Sequence, residues 1–324
     1  MHAIVCHEHG DPDVMRYEEI PQPKPQPDEV LIEAEAIGVN YVDTMRRSGQ
    51  HPAAPPTPFT PGVEVCGRVA ATGGNVTRFR VGDRVIGRRV THGTYAEFVL
   101  AEERLTVSFP EMLSAEQGAA LFVNGQTAYH ALVTMGQTQT DEWVLVTAAA
   151  GGVGTCAIQI AKRLGARVIA AVGTQAKCAF AGQLGADQSV DYHAADWPEQ
   201  VLELTGGQGA HLILESVGGE LAAGCLRCWA AGGRMVVYGK ASGSPALIAG
   251  DDLLFGNRTV YGLAVGTVIE DEAVMREAMW QLGEWVREGH LKMQVGHVYP
   301  LSDAAQAHRD LESRRTSGKL VLIP

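Results

Sequence analysis

A glycine-rich turn at residues 148–154 constrains the fold of this chain more than any other feature. The turn reads Ala-Ala-Ala-Gly-Gly-Val-Gly, follows the apolar run Trp143–Thr147, and precedes apolar residues at helical spacing up to Leu164. A strand, a glycine turn and a helix in this order form the dinucleotide-binding turn of parallel α/β sheets. In such a turn Gly151 lets the backbone approach a pyrophosphate, and Gly154 lets the helix pack on the strand. The predicted nucleotide contacts are Gly151, Gly152, Val153 and Gly154.

Strand-like and helix-like runs alternate from residue 143 to about residue 265. The strand-like runs are 143–147, 167–171, 188–191, 211–215, 234–238 and 259–263. Because this alternation is typical of βαβ units with right-handed crossovers, we predict a doubly wound parallel sheet. Ligands of such sheets bind at the carboxyl ends of the strands. Further cofactor contacts are therefore predicted at Ser216, Val217, Tyr238, Gly239 and Lys240.

The end of the second strand of this series indicates which dinucleotide binds. An NAD site usually places Asp or Glu there, to accept from the ribose 2′-hydroxyl, but residues 171–177 contain no carboxylate. Gly173 leaves room for a 2′-phosphate, Thr174 can donate to it, and Lys177 can neutralise it. Tyr192, just past the third strand, could close the same pocket. The sequence therefore predicts NADP(H) rather than NAD(H).

The rest of the chain is patterned differently. Short strand-like runs separated by glycines fill the first 120 residues, which predicts an irregular β domain. From residue 291 the chain returns to strand-like runs around one helical run, so we expect this tail to rejoin the first domain. The predicted domains are 1–124 for the first part of the β domain, 125–267 for the cofactor domain, and 268–324 for the return.

Charge and cysteine content exclude several classes of protein. Thirty-seven acidic and 26 basic side chains give a net charge of −11, and no long basic run is present, so nucleic acid and anionic membranes are poor partners. Residues 143–161 carry no charge, but three glycines interrupt them, which favours strand, turn and helix over a membrane span. Six cysteines in 324 residues, with no leading apolar segment, favour a reducing compartment, and we expect a cytoplasmic protein.

Several further blocks are shared with one family. They lie at residues 1–5, 38–43, 61–67, 82–85, 124–129, 164–166, 184–187 and 307–321. With the glycine turn, they make the chain resemble the zinc-independent quinone oxidoreductases of the medium-chain dehydrogenase/reductase superfamily. The resemblance implies an α/β protein in which a GroES-like β-barrel catalytic domain carries an inserted Rossmann cofactor domain. It also implies hydride transfer from NADPH, and a homodimer formed through the edge strand near Thr259 to Leu263.

Zinc is not expected at either site that the zinc-dependent relatives use. Those relatives carry Cys and His at two positions that are Asn40 and Val63 here, and neither replacement is a good zinc ligand. The four closely spaced cysteines of their structural zinc lobe are absent from residues 88–105. We therefore predict no metal.

The resemblance also suggests residues for the chemistry. It places Asn40 and Thr127 near the nicotinamide, with Asp43 close by, and Asn40 could donate to a carbonyl oxygen. Alternatively, Asn40 caps a short helix from Tyr41 to Ser48, with Asp43 favoured at its third position by the helix dipole. One residue can do both.

The proton donor is left open between two residues. Related enoyl reductases place Tyr two positions beyond the glycine that matches Gly49, where this chain has His51. Histidine can transfer protons near neutral pH, Tyr41 is the other candidate, and quinone oxygens can also be protonated by water. Lys319 matches a basic position that reaches the cofactor phosphates in relatives.

The expected activity is reduction of a quinone or of an activated alkene, an α,β-unsaturated carbonyl compound, by NADPH without zinc. One alternative is an enoyl-thioester reductase of the same superfamily, and another is a family member that binds NADPH without catalysis.

Overall fold

The computed structural model describes residues 1–88 and 93–324. The strands are β1 His2–Cys6, β2 Met15–Glu19, β3 Glu29–Val39, β4 Glu64–Thr72, β5 Arg84–Arg88, β6 Phe98–Glu102, β7 Thr106–Ser108, β8 Trp143–Thr147, β9 Arg167–Val172, β10 Gln188–Asp191, β11 Ala210–Glu215, β12 Trp229–Val237, β13 Thr259–Gly262, β14 Val295–Pro300 and β15 Lys319–Ile323. The helices are α1 Tyr41–Arg47, α2 Ala115–Gly118, α3 Phe122–Tyr129, α4 Gly152–Arg163, α5 Gln175–Gln183, α6 Trp197–Leu204, α7 Gly219–Arg227, α8 Gly250–Leu254, α9 Val265–Val268, α10 Glu272–Arg287 and α11 Ala304–Glu312. A π-helical segment, His130–Met135, follows α3, and single 3₁₀ turns lie at Pro12–Val14, Glu103–Leu105 and Leu301–Asp303.

The chain divides into two compact units. The first comprises Met1–Phe122 with Met293–Pro324, and the second comprises Val123–Lys292. The predicted return at residue 268 differs from this division, because residues 268–292, including α10, belong to the second unit. One contact that holds α10 there is the hydrogen bond from Gln126 Nε2 to the Met275 carbonyl, 2.9 Å long.

The first unit is built on a seven-stranded sheet. Its order is β14-β15-β3-β4-β5-β7, and β6 pairs with the first half of β3. The 11-residue β3 is the central strand, and the register of its pairing with β4 shifts twice, which bends both strands. Fully buried Ile32 and Ile37 from β3 contribute to the core of this unit.

The strand pairing of this sheet does not form the closed barrel that the resemblance implies. Within residues 1–88 and 93–324, no ladder of hydrogen bonds joins the end strands β7 and β14. Strands β1 and β2 form a two-stranded sheet of their own. Isolated β-bridges from Ala3 to Ala96 and from Cys6 to Phe59 connect it to the rest of the unit.

The second unit confirms the predicted doubly wound sheet. Its six strands have the order β10-β9-β8-β11-β12-β13, and every neighbouring pair is parallel. All five residues of β8 are buried, as expected for a strand covered by helices on both faces. The strand order reverses between β8 and β11, so the ends of these two strands form the switch point where such sheets bind ligands.

Strand β12 differs most from its predicted extent. It begins at Trp229 rather than at residue 234, because Trp229 pairs with Ala210 before the register shifts. Gly232, which lies between the two pairings, has a φ of +67°, a backbone conformation that is strained for residues with a side chain. Regular pairing therefore resumes only at Arg234.

Within the described ranges, none of the helices combines the length and the apolar character that crossing a membrane requires.

Candidate functional site

The glycine turn has the geometry that the sequence predicted. Gly151 is the N-cap of α4, and a Cβ atom on Gly154 would lie 2.5 Å from the backbone oxygen of Ala149. Only glycine therefore lets α4 lie this close to the turn. A Cβ atom on Gly152 would lie 2.5 Å from the side-chain nitrogen of Asn124, so this position is crowded as well.

Helix α4 begins directly after β8, at the switch point of the sheet. The first N–H groups of an α-helix have no partner within the helix, and here Gly152, Val153 and Gly154 supply them. Together with the helix dipole, they form a site for an anion such as a pyrophosphate.

Beyond β9, the side chains of Tyr192 and His193 lie close against Gly173. A Cβ atom on Gly173 would lie 2.7 Å from Tyr192 Oη and 2.9 Å from His193 Nε2. Tyr192 thus lies beside Gly173, and so does His193, which the sequence analysis did not name.

Thr174 and Lys177 lie at the start of the next helix. Thr174 caps α5, with its Oγ1 accepting from the Lys177 N–H at 3.3 Å, and the same hydroxyl can still donate its hydrogen to a ligand. Burial lowers the pKa of the Lys177 ammonium group, an effect that a bound anion would oppose. Thr174 and Lys177 therefore offer a hydroxyl donor and a cation that could hold a phosphate on the ribose of a dinucleotide.

The loops after β11 and β12 are tied together at the same edge of the sheet. The Ser216 N–H donates to Thr147 Oγ1 at 3.0 Å, and a Cβ atom on Gly239 would lie 2.7 Å from the Ser216 carbonyl oxygen. Burial raises the pKa of the Tyr238 hydroxyl to about 12, although a hydrogen bond with Ser216 lowers it. Lys240 shapes the same loop, since its carbonyl accepts from the Gly243 N–H at 2.8 Å.

Glu215 organises the first of these loops and was missed by sequence reasoning. It is fully buried, and its Oε1 accepts from the N–H groups of Val217 and Gly218 at 2.7 and 2.9 Å. Burial raises the pKa of this carboxyl group, and its Oε2 has no hydrogen-bond partner among the described residues. A carboxylate directly after the apolar run Leu212–Leu214 was the signal that could have identified it.

In the first unit, Asn40 and Asp43 form the start of α1. Asn40 is the N-cap, and the Asp43 carboxylate accepts from its backbone N–H at 2.8 Å. The capping alternative thus describes the local structure. Asp43 is fully buried, and burial raises its pKa to about 7, although the Asn40 N–H and the charges of Lys319 and Arg46 lower it and Glu64 raises it further.

The Asn40 side chain is held on both sides. Its Nδ2 donates to Glu64 Oε1 at 2.8 Å and to the Gly38 carbonyl at 3.3 Å, and its Oδ1 accepts from Lys319 Nζ at 2.7 Å. Donation to a substrate carbonyl would therefore have to replace the longer bond to Gly38. Asn40, Glu64 and Lys319 are 7%, 0% and 2% exposed.

Lys319 has different contacts from those that the resemblance implied. Its ammonium group is buried in the first unit and donates to Glu64 as well as to Asn40, instead of pointing into solvent where a phosphate could approach. The reason is that a buried carboxylate such as Glu64 requires a cation beside it. Lys319 therefore acts on the orientation of Asn40.

The remaining predicted residues lie in three places. Thr127 belongs to α3 in the second unit, is 5% exposed, and donates from its hydroxyl to the Val123 carbonyl at 2.7 Å. Tyr41 is the first residue of α1, and partial burial is the main cause that raises its pKa. His51 lies in the following loop, where its Nδ1 accepts from the Ala53 N–H at 3.0 Å.

A metal centre is not evident at these positions. Val63 is a buried apolar residue, and the described part of the chain holds no group of three or more His, Cys, Asp or Glu side chains placed to bind a metal ion.

Comparison with known proteins identifies the family. Residues 26–111 match the alcohol dehydrogenase GroES-like domain, and residues 152–284 match the zinc-binding dehydrogenase domain. A quinone oxidoreductase of Pseudomonas aeruginosa is 36% identical over 322 residues, which cover 98% of this chain and 97% of that protein. The chain belongs to the quinone oxidoreductase family of the medium-chain dehydrogenases/reductases. The resemblance and its GroES-like and Rossmann-type domains are thereby confirmed, except for barrel closure.

Solved structures of medium-chain dehydrogenases/reductases share the fold over the full length. Escherichia coli quinone oxidoreductase complexed with NADPH superposes with a TM-score of 0.95 at 35% identity and covers 100% of both chains. A 2-haloacrylate reductase superposes with a TM-score of 0.86 at 32% identity and covers 100% of this chain and 99% of its own.

Proposed function

We propose that this protein is an NADPH-dependent reductase that transfers a hydride to a quinone or to the activated alkene of an α,β-unsaturated carbonyl compound. The segment after β9 carries the proposal, since Thr174 and Lys177 offer a hydroxyl donor and a cation to a 2′-phosphate, and residues 171–177 lack the carboxylate of an NAD site. The relatives support the same activity, because one is named a quinone oxidoreductase and solved with NADPH, and another is named a reductase of a haloacrylate.

The second unit would hold the cofactor in three parts. The turn at Gly151–Gly154 would bind the pyrophosphate, and Thr174, Lys177 and Tyr192 would bind the 2′-phosphate. The loops of Ser216, Val217, Tyr238, Gly239 and Lys240 would line the remainder of the site at the carboxyl edge of the sheet. When bound, NADPH supplies the hydride.

Residues of the first unit would serve the acceptor, and Thr127 of the second unit would contact the cofactor. Asn40 is fixed in one orientation by Glu64 and Lys319, as a group that positions a substrate should be. Asp43 lies beside Asn40, and its charge changes near neutral pH because burial raises its pKa to about 7. Tyr41 and His51 stay candidates for proton donation to an enolate, while quinone oxygens can take protons from water.

Three properties complete the proposal. The enzyme works without zinc, because Asn40 and Val63 occupy the positions of zinc ligands. It is a homodimer through β13, since this strand ends the sheet and follows two exposed apolar side chains, Leu254 (67% exposed) and Phe255 (81%). It resides in the cytoplasm, where its six free cysteines would stay reduced.

Deuterium transfer tests the proposed reaction. NADPH that carries deuterium on the transferable C4 position is incubated with the protein and a simple enone, and the product is analysed by mass spectrometry and NMR. We expect one deuterium on the β-carbon of the product. Deuterium that stays on the cofactor with enones and quinones alike, while NADPH binds tightly, would contradict the proposal and favour the non-catalytic alternative.

A further inference from the structure

A row of buried side chains connects α11 to the start of α1 in the first unit. Arg47 Nη1 lies 3.3 Å from His308 Nδ1, His308 Nε2 lies 3.0 Å from Tyr95 Oη, and Tyr95 Oη lies 3.2 Å from Asp43 Oδ2. Asp43, Tyr95 and His308 are fully buried, and Arg47 is 2% exposed. At the outer end, Arg47 Nη2 donates to Glu312 Oε1 at 2.8 Å. Nothing in the proposed reaction uses Tyr95 or His308.

The chemistry of these groups permits only one direction of donation. A guanidinium group can donate but not accept, so His308 Nδ1 must be the acceptor of the bond from Arg47. The neutral imidazole then carries its hydrogen on Nε2 and donates to Tyr95 Oη. The Tyr95 hydroxyl in turn donates to Asp43 Oδ2. We call Arg47, His308 and Tyr95 the donor chain of Asp43.

The charges around the donor chain agree with this direction. Burial, together with the Arg47 charge, lowers the pKa of His308 to about 3, so that its imidazole stays neutral. The carboxyl group of Asp43, with its pKa raised by burial to about 7, therefore changes charge near neutrality. Among the described residues, the charged groups that face it are Arg46 on its own helix, Glu64 on β4 and Lys319 on β15.

The two oxygens of Asp43 have different roles. Oδ2 accepts from the Asn40 N–H and from the Tyr95 hydroxyl, whereas Oδ1 has no hydrogen-bond partner among the described residues. A proton that binds Asp43 therefore goes to Oδ1, and it weakens both bonds at Oδ2 because hydrogen bonds to an ionised carboxylate are the stronger ones. The hold of Asp43 on the Asn40 backbone is thus coupled to its ionisation.

We propose that Tyr95 and His308 are positioning residues for the reduction: they hold Asp43 as an ionised acceptor and thereby keep Asn40 at the start of α1 in its working position. This inference rests on the proposed function. Ionised Asp43 is the form that positions Asn40, so activity rises with pH as Asp43 loses its proton. Loss of the Tyr95 donor favours protonated Asp43 and moves this rise to higher pH.

Two measurements on the full chain test the inference. The first is an infrared titration of the protonated carboxyl band of Asp43 in the cofactor-free protein, assigned by its disappearance in Asp43→Asn. The second is the pH profile of kcat/KM for quinone reduction. Both are made on Tyr95→Phe, His308→Gln and His308→Ala. The matched control is Tyr299→Phe, which removes a tyrosine hydroxyl that donates to Asp310 Oδ2 at 2.8 Å in the same unit.

Tyr95→Phe should raise the infrared midpoint and the rising limb of the pH profile together, by on the order of one pH unit. At high pH its kcat/KM should return to within about twofold of the unmodified value, because Asp43 is then ionised without help. His308→Gln should keep both midpoints near normal, since its amide can accept from Arg47 and donate to Tyr95. His308→Ala should shift them, and Tyr299→Phe should change neither.

An unshifted infrared midpoint in Tyr95→Phe and His308→Ala would overturn the inference. So would a fall in kcat/KM by the same factor at every pH, since that is the signature of a merely structural role. The infrared titration needs no turnover, so it decides on the donor chain even if Tyr95→Phe is inactive. Failure of the unmodified protein to reduce any acceptor would instead contradict the proposed function.

Discussion

The Nζ atom of Lys319 lies 2.7 Å from the Oδ1 atom of Asn40, although the two residues are 279 positions apart in the chain. Pairing of β15 with β3 places Leu320 opposite Val39, and this brings the neighbouring Lys319 beside Asn40. The same ammonium group donates to the fully buried Glu64. The C-terminal return of the chain thus completes a polar cluster at the start of α1.

Lys319→Met should destabilise the protein strongly. It leaves the buried Glu64 carboxylate without its cation, which should lower the free energy of unfolding by about 3–5 kcal/mol in urea titrations. Adding Glu64→Gln removes the unpaired charge and should recover most of the loss. Unchanged stability of Lys319→Met with weaker NADPH binding would instead support the phosphate contact that the resemblance implied.

Lys177→Ala should weaken the binding of NADPH much more than the binding of NADH. Loss of a charged hydrogen bond to the 2′-phosphate should weaken NADPH binding about 10- to 100-fold and leave NADH binding nearly unchanged, as measured by fluorescence titration. Lys24→Ala, which removes the same charge from an exposed site in the first unit, is the control. Equal losses for NADPH and NADH in Lys177→Ala would show that no 2′-phosphate binds there.

Gly154→Ala should disturb the contact between α4 and the glycine turn. The new Cβ atom would meet the Ala149 backbone oxygen at 2.5 Å, and the required shift should cost about 1–3 kcal/mol in thermal unfolding. Gly182→Ala is the matched control in α5, where a Cβ atom has no heavy atom within 4 Å. It should stabilise the protein by about 0.4–1 kcal/mol. Similar melting temperatures for the two variants would argue against the close helix contact.

His308 should make the protein less stable in acid. Its folded-state pKa of about 3 lies below the ordinary value of 6.5. The neutral imidazole therefore contributes fully to the free energy of unfolding above pH 6.5, and this contribution is lost as the pH falls toward 3. Between pH 7 and pH 4 this amounts to about 3 kcal/mol. Urea unfolding of His308→Gln should lack this component, while His297→Gln, at an exposed position of the same unit, should retain it. Identical pH dependence in both variants would contradict a neutral buried His308.

Local patterns were enough to predict much of the second unit and the start of α1. The glycine turn, the individual strands and the cap at Asn40 each depend on residues within a few positions of one another, and the parallel pairing follows from their alternation with helices. The proposed 2′-phosphate contacts could be suggested from the sequence for the same reason, since Gly173, Thr174 and Lys177 lie in one short segment.

Contacts between distant segments could not be predicted. Tyr95 and His308 are 213 positions apart, and their hydrogen bond depends on how α11 packs within the first unit. The position of Lys319 depends on the register of β15 against β3, where a shift of one residue would turn its side chain to the other face. The polar partners of Asn40 and Asp43 therefore emerged only from the structure.

The rate of NADPH oxidation by the purified protein tests NADPH-dependent reduction most directly. A simple quinone, an enone and an enoyl thioester are offered in parallel, with NADH as the alternative donor and the zinc content measured on the same sample. We expect turnover with the quinone or the enone, a clear preference for NADPH over NADH, and no stoichiometric zinc. Turnover confined to the thioester, a preference for NADH, or activity that requires one bound zinc per chain would contradict the account.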